Sequence, residues 1–278
     1  MGSAQLEKSL GMKKIHQLGF VKLLDVMGND EEVENSARIS YGEGTRKVNQ
    51  TRNLIRYLMR HRHTSPFEMC EVKFHLKLPI FIMRQLVRHR MANLNEYSGR
   101  YSVMSDEFYL PEGDYLAKQS TTNNQGRGEV LESTGLLQFE FNRIYDNAIM
   151  AYQNLLEEDL AKEISRAVLP VANYTECIWK VDLHNFFHFV RLRSDSHAQR
   201  EIRDYSDAMY ELVKPHFPLC CEAFEDYVRD AVTFSKQEME LIREAIWDGR
   251  GGLDTESEKL GKRETKEFLE KLEVKGEP

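Results

Sequence analysis

Residues 67–78 contain an alternation that restricts the fold more than any other stretch. Val72, Phe74, Leu76 and Leu78 are apolar, and Glu71, Lys73, His75 and Lys77 between them are polar. A period of two puts one set on each face of a strand, so the pattern predicts a strand half-buried against a core. Pro79 follows, which suits the first turn of a helix. Ile80, Met83 and Val87 then recur at helical spacing, predicting a helix over 79–87. A one-sided strand feeding an amphipathic helix calls for helices layered on a sheet, an α+β architecture.

The rest of the chain reads as helix-rich. Residues 19–28 form a buried strand, and Asp30 suits the N-cap of a helix through Ile39. Further helices are predicted over 47–61, 134–156, 159–169 (ended by Pro170), 183–193 (capped by Asp182), 197–213, 219–232, 235–247 and, more weakly, 264–272. Residues 171–181 read as extended. Residues 1–16 are polar and expected to be loosely ordered. Residues 114–135 read as a surface loop or insertion, and 249–252 as a glycine hinge. The expected organisation is one helix-rich α+β domain over 19–232 with a small, largely antiparallel or mixed sheet. A polar extension covers 1–18 and a charged helical extension covers 233–278.

Charge excludes some functions. With 38 Lys and Arg against 45 Asp and Glu the net charge is −7, which opposes general nucleic-acid binding. No apolar run approaches the length of a membrane span, and the N-terminal residues lack the apolar core of a secretory signal. The four cysteines form neither a CxxC pair nor a disulfide framework. Reduced thiols and a cytoplasmic location are therefore expected.

Against this acidic background the helix over 79–87 ends in a basic knot, Arg88-His89-Arg90, followed by Asn93, Asn95, Glu96, Ser98, Gly99 and Arg100. Such a cluster suits an anion, and arginine suits a phosphate because its planar fork donates two parallel hydrogen bonds. Gly99 permits close backbone approach or a positive φ. The same residues also read as cations neutralising a helix C-terminus before a polar loop. A second constellation runs from Asp182 to His197. His184, His188 and Arg191 share one helical face, and His at i and i+4 is a zinc-ligand spacing. However, Asn185 stands where HExxH carries glutamate, and no nearby cysteine completes a tetrahedral site. Ligand contact, structural packing and metal binding all stay open for these histidines. Gly42-Glu43-Gly44 lacks a third glycine and no GxxxxGK[ST] occurs, which disfavours Rossmann and P-loop folds.

Arg88-His89-Arg90 followed by Ser98 and Arg100 resembles the signature of the flavin-dependent thymidylate synthases, with Asn93 where that family often has Ser. Residues 192–199, LRSDSHAQ, are similar to the family's C-terminal motif. Residues 61–68 resemble its His-x-Thr-Pro-Phe-Glu turn, with Ser65 where Thr is common, and Arg166 matches a family arginine that contacts the nucleotide. The resemblance spans roughly 19–230. It implies the family fold and the reductive methylation of dUMP to dTMP, with methylenetetrahydrofolate as carbon donor, FAD as cofactor and NADPH as reductant. It assigns dUMP to Gln85, Leu86, Val87, Arg88, Glu96, Tyr97, Ser98, Gly99, Arg100, Arg166 and Arg193, with Arg193 polarising the uracil ring. It assigns FAD to Ser65, Arg88, His89, Arg90, Glu96, Asp182, Leu183, His184 and His188. It further implies no metal, no cysteine nucleophile, and a homotetramer with active sites shared between subunits. Two other classes compete: a metal-dependent hydrolase using His184, His188 and His197 with Asp195, and an RNA-binding module using the knot at 88–100.

Overall fold

The computed structural model describes residues 9–41, 51–121, 126–132, 134–247 and 262–272. The chain divides into two compact units, Met1–Phe224 and Glu225–Pro278. The elements of the first, in chain order, are β1 (Gly11–Ile15), β2 (Gly19–Met27), α1 (Asp30–Arg38), α2 (Thr51–Arg60), α3 (Ser65–Glu68), β3 (Glu71–Pro79), α4 (Ile80–Leu86), β4 (Asn93–Glu96), β5 (Ala117–Gln119), β6 (Arg127–Val130), α5 (Gly135–Glu157), α6 (Lys162–Ser165), β7 (Tyr174–Asp182), α7 (Leu183–Arg193), α8 (Arg200–Val213) and α9 (Pro218–Phe224).

The sheet is antiparallel, in the order β1-β2-β3-β7-β4. The alternation in β3 does what its period demands: Val72, Phe74, Leu76 and Leu78 are buried. Opposite them on β7 lie Val181, Trp179, Cys177 and Thr175, and α7 and α8 supply Phe186, Phe189, Val190, Ile202, Tyr205 and Met209 to the same core. Each large apolar side chain buried there contributes about 1.5–3 kcal/mol. The other face carries charge pairs, Lys180–Glu71 at 2.7 Å, His75–Glu176 at 2.8 Å and Lys77–Glu107 at 2.7 Å.

The structure revises several local expectations. Gly11–Ile15 is a strand paired with β2, so residues 1–16 are not loose throughout. Asn29, not Asp30, caps α1 by accepting from the Glu32 N–H. The Asp30 carboxylate instead accepts the Leu219 and Cys220 N–H groups at 2.8 and 2.9 Å, capping α9 from far along the chain. Residues 114–135 hold the β5–β6 hairpin, and Ser65–Glu68 is helical, so β3 starts at Glu71, just after Cys70. The helix expected over 159–169 is only α6 and a 3-10 turn at Arg166–Val168. Asp159 takes a positive φ of 58°, and Leu169, preceding a proline, is extended. The helix expected over 197–213 begins at Arg200, and that over 219–232 is α-helical to Phe224 and π-helical over Glu225–Arg229. Phe186, Phe187 and Phe189 are core residues.

The second unit holds a π-helical turn Glu225–Arg229, α10 (Lys236–Trp247) and α11 (Lys262–Lys271). Ser235 and Glu238 form a reciprocal capping box at the start of α10. Lys271 of α11 donates to Glu238 at 2.6 Å, and Phe234 meets Phe268 edge-on at 6.2 Å. The hinge expected at 249–252 lies outside the described residues.

Candidate functional site

The strand pair β3–β7 sets up the site. Because the two strands are antiparallel, the helices that follow them start at opposite ends of the pair. The first N–H groups of α4 are taken by the carbonyls of Asn173 and Val171, at 3.0 and 2.9 Å. Asp182 caps α7 by accepting the Asn185 N–H at 2.9 Å. Each helix buries one side, and their C-terminal ends meet. Arg193 Nε donates to His89 Nε2 at 3.0 Å, and its Nη2 approaches the Gln85 carbonyl at 3.4 Å. Residues more than a hundred positions apart are thus joined directly.

Around this junction is a cleft of about 640 Å³. Its lining includes Arg88, Arg90 and Arg193, polar His89, Asn185 and His188, and apolar Met91, Val181 and Leu192. Among the described residues no carboxylate lines it, in a chain with a net charge of −7. His89 accepts from Arg193 and stands edge-on to Phe189 at 5.0 Å. Burial, then the charge of Arg193 and the neighbouring His188, push its imidazole down to about 4, so it is neutral near pH 7. Burial and Arg191 also lower His188, and burial and Arg88 lower Arg193. The arrangement suits an anionic, partly flat ligand: cations for phosphates, apolar walls for a ring.

A second cluster holds the remaining arginines. Arg100 Nε donates to Glu163 at 2.9 Å, and Arg166 Nε approaches the Glu163 carbonyl at 3.5 Å. Ser98 Oγ accepts the Arg100 N–H at 3.3 Å. A Cβ on buried Gly99 would lie 2.7 Å from Met104 Sδ and 3.0 Å from Arg166 Cδ, so the glycine serves close approach. Glu96 Oε1 accepts from Thr175 at 2.9 Å, and the Tyr97 hydroxyl donates to the Val103 carbonyl at 2.8 Å. None of Ser98, Arg100 and Arg166 lines the cleft.

The other expected site residues are spread more widely. The side chains of Leu86 and Leu183 are buried, so any ligand contact they make is through backbone. Val87 is exposed beside the knot. Asp182 is engaged as the α7 cap, also accepting Asn185 Nδ2 at 2.8 Å. His184 lies on α7 next to that cap, and Ser65 opens α3, which packs on α7. His197 is exposed and bonded to Asp195 at 2.8 Å. It borders a different cavity, of about 460 Å³, together with Arg127, Gln199, Arg200 and Arg203. Among the described residues no group of three or more His, Cys, Asp or Glu side chains is placed to hold a metal.

Sequence reasoning missed Glu163, Tyr109, Arg127 and Glu201. Glu163 stands one helical turn before Arg166, a spacing that could have flagged it. Glu201 in the first turn of α8 reads like an ordinary charge on a helix dipole, yet it is 2% exposed.

Residues 22–219 match the family model described as thymidylate synthase complementing protein. A flavin-dependent thymidylate synthase of Ehrlichia ruminantium is 49% identical over 93% of this chain and 87% of its own. One of Dictyostelium discoideum is 47% identical over 94% and 86%. Among solved structures, a UMP/dUMP methylase, PolB, from Streptomyces cacaoi bound with 5-Br dUMP is similar with a TM-score of 0.71 at 32% identity, covering 78% of this chain and 99% of that one.

Proposed function

The chain belongs to the flavin-dependent thymidylate synthase family, and from that premise we propose that it reductively methylates dUMP to dTMP with methylenetetrahydrofolate as carbon donor, FAD as cofactor and NADPH as reductant. The single observation that carries the reading is the cleft in which Arg88, Arg90 and Arg193 face no lining carboxylate among the described residues. Its mixed lining fits the chemistry of a flavin dinucleotide, with Arg88, Arg90, His89 and His188 to hold it. FAD, when bound, supplies the hydride.

The protein's own contribution is positioning and polarisation. Arg193 is fixed by His89 and the Gln85 carbonyl, which leaves further N–H groups for a pyrimidine carbonyl. A fixed cation there stabilises the enolate-like charge that develops when uracil C5 acts as nucleophile; removing one such donor typically costs about 10²–10³ in kcat. Ser98, Gly99, Arg100 and Arg166 would hold the nucleotide. In this reading they complete the site from another copy of the chain in a homotetramer. A cysteine nucleophile finds no support. All four cysteines are buried, and burial pushes the Cys70 and Cys177 thiols up to about 11 and about 12, far from a reactive thiolate. The catalytic domain is proposed to span 19–232, with β1 completing its sheet and a charged extension beyond 233. Among the described residues no helix is long and apolar enough to cross a membrane; a cytoplasmic location is proposed.

The test is the visible spectrum of the purified protein together with turnover. A flavin absorbance band, dTMP formation coupled to NADPH oxidation, and an Arg193→Ala variant that keeps flavin but loses dTMP formation are the expected results. Colourless protein that cannot take up FAD would end the proposal, and normal turnover by Arg193→Ala would end the polarising role.

A further inference from the structure

Behind Gln85 lies a hydrogen-bonded chain that the reaction as described does not use. It begins at Glu201, a carboxylate that is 2% exposed. Three donors converge on it: the Tyr109 hydroxyl at 3.0 Å, the Arg127 guanidinium from the β5–β6 hairpin, and Gln199 Nε2 at 3.0 Å. Gln199 then accepts, through Oε1, from Gln85 Nε2 at 2.5 Å. Gln85 is in the last turn of α4, and its backbone carbonyl is the group that Arg193 approaches.

The order of donors along this chain is dictated from the buried end. A carboxylate engaged by three donors acts only as an acceptor, so Gln199 must turn its amide nitrogen toward Glu201 and its carbonyl toward Gln85. Gln85 must then turn its amide nitrogen toward Gln199, giving one of its two N–H groups to that carbonyl. Its side-chain carbonyl oxygen is left over as an acceptor. Burying a carboxylate is costly unless several donors compensate it. A pair that only pinned the hairpin would need Arg127 and Tyr109, but not the link through Gln199.

We propose that Glu201 is a positioning residue of the nucleotide site, which through Gln199 sets the amide of Gln85 so that its carbonyl oxygen meets a hydrogen-bond donor on the bound nucleotide. The proposal rests on reading Gln85 as a nucleotide contact. The donor is either the ring N3–H or the sugar hydroxyl.

Calorimetric titration of dUMP into the FAD-loaded full-length protein tests it, in wild type, Gln85→Ala, Gln199→Leu, Glu201→Gln and the doubles that combine Gln85→Ala with each of the others. Gln199→Leu breaks the chain while leaving Tyr109 and Arg127 on Glu201, so it serves if Glu201→Gln fails to fold. Each break is expected to raise the Kd for dUMP by about 3- to 10-fold, the worth of one hydrogen bond. In the Gln85→Ala background neither should weaken binding further, because both act through the missing amide. Additive losses, or an unchanged Kd in Gln199→Leu and Glu201→Gln while Gln85→Ala weakens binding, would overturn the relay. An unchanged Kd in Gln85→Ala would instead remove Gln85 from the nucleotide site, and the proposal with it. The analogues 3-methyl-dUMP and 2′,3′-dideoxyuridine monophosphate identify the donor: the one that wild type and Gln85→Ala bind equally lacks it. If both analogues still discriminate the two proteins, the carbonyl-to-donor contact is wrong.

Discussion

At the scale of single residues, His89 shows how one side chain serves packing and chemistry together. It accepts from Arg193 only while its Nε2 is unprotonated. Its pKa, held down at about 4 against an ordinary 6.5, means the unfolded chain binds the proton first as pH falls. Stability from this group is therefore complete above about 6.5 and is lost as pH falls through about 4. A His89→Gln variant keeps an acceptor for Arg193 but does not titrate. Denaturant unfolding between pH 7 and pH 4 should show wild type losing more stability than His89→Gln, by roughly 1–3 kcal/mol for a half-buried group. Parallel losses would mean that the imidazole is not held neutral. The residues of this contact were legible only through the motif resemblance. Spacing and charge favoured a neutralised helix end over an anion site, and nothing local to Arg193 or His89 announces that they touch. Glu201 was illegible for a related reason, since its role depends on groups from three other segments.

At the scale of elements, what the chain dictates locally was readable, and what arrives from elsewhere was not. The strand β3, the capped helix α7 and the long α5 follow from period, cap and length. By contrast, Asn29 and Asp30 are adjacent and both are good capping residues, so sequence alone picks neither. Structure divides the work: Asn29 serves its own helix and Asp30 serves α9. Asn29→Ala should cost about 1 kcal/mol, the usual worth of a cap. Asp30→Ala should cost more, about 1–3 kcal/mol, because it strands two N–H groups in a buried setting. Equilibrium denaturation of the two variants decides the ranking, and the reverse order would mean that the α9 contact carries little. The edge strand β1 escaped notice because Gly-Met-Lys-Lys-Ile has almost no β-branched content, and β2 is its one strand partner.

At the scale of the molecule, α5 is the element that a single chain leaves unexplained. Over Gly135–Glu157 only Tyr145 and Tyr152 are buried, while Leu136, Phe139, Phe141, Ile144 and Met150 stay exposed, Leu136 at 72% and Phe139 at 60%. An apolar stripe of this kind on a folded protein marks a contact surface. The two arginine groups point the same way. Arg88, Arg90 and Arg193 line the cleft, whereas Arg100 and Arg166 gather around Glu163 outside it. In the proposed shared-site reading, neighbouring copies supply one group each, and assembly is a condition of activity. Placing charge on the stripe, as in Leu136→Glu with Phe139→Glu, should leave the fold intact, since neither side chain is in the core. Light scattering should then show a smaller assembly than the proposed tetramer, and dTMP formation should fall in step. Mixing this variant with Arg193→Ala should not restore turnover, because the damaged face cannot pair. A monomeric variant with full activity would place the whole site within one chain and remove the argument for a shared one.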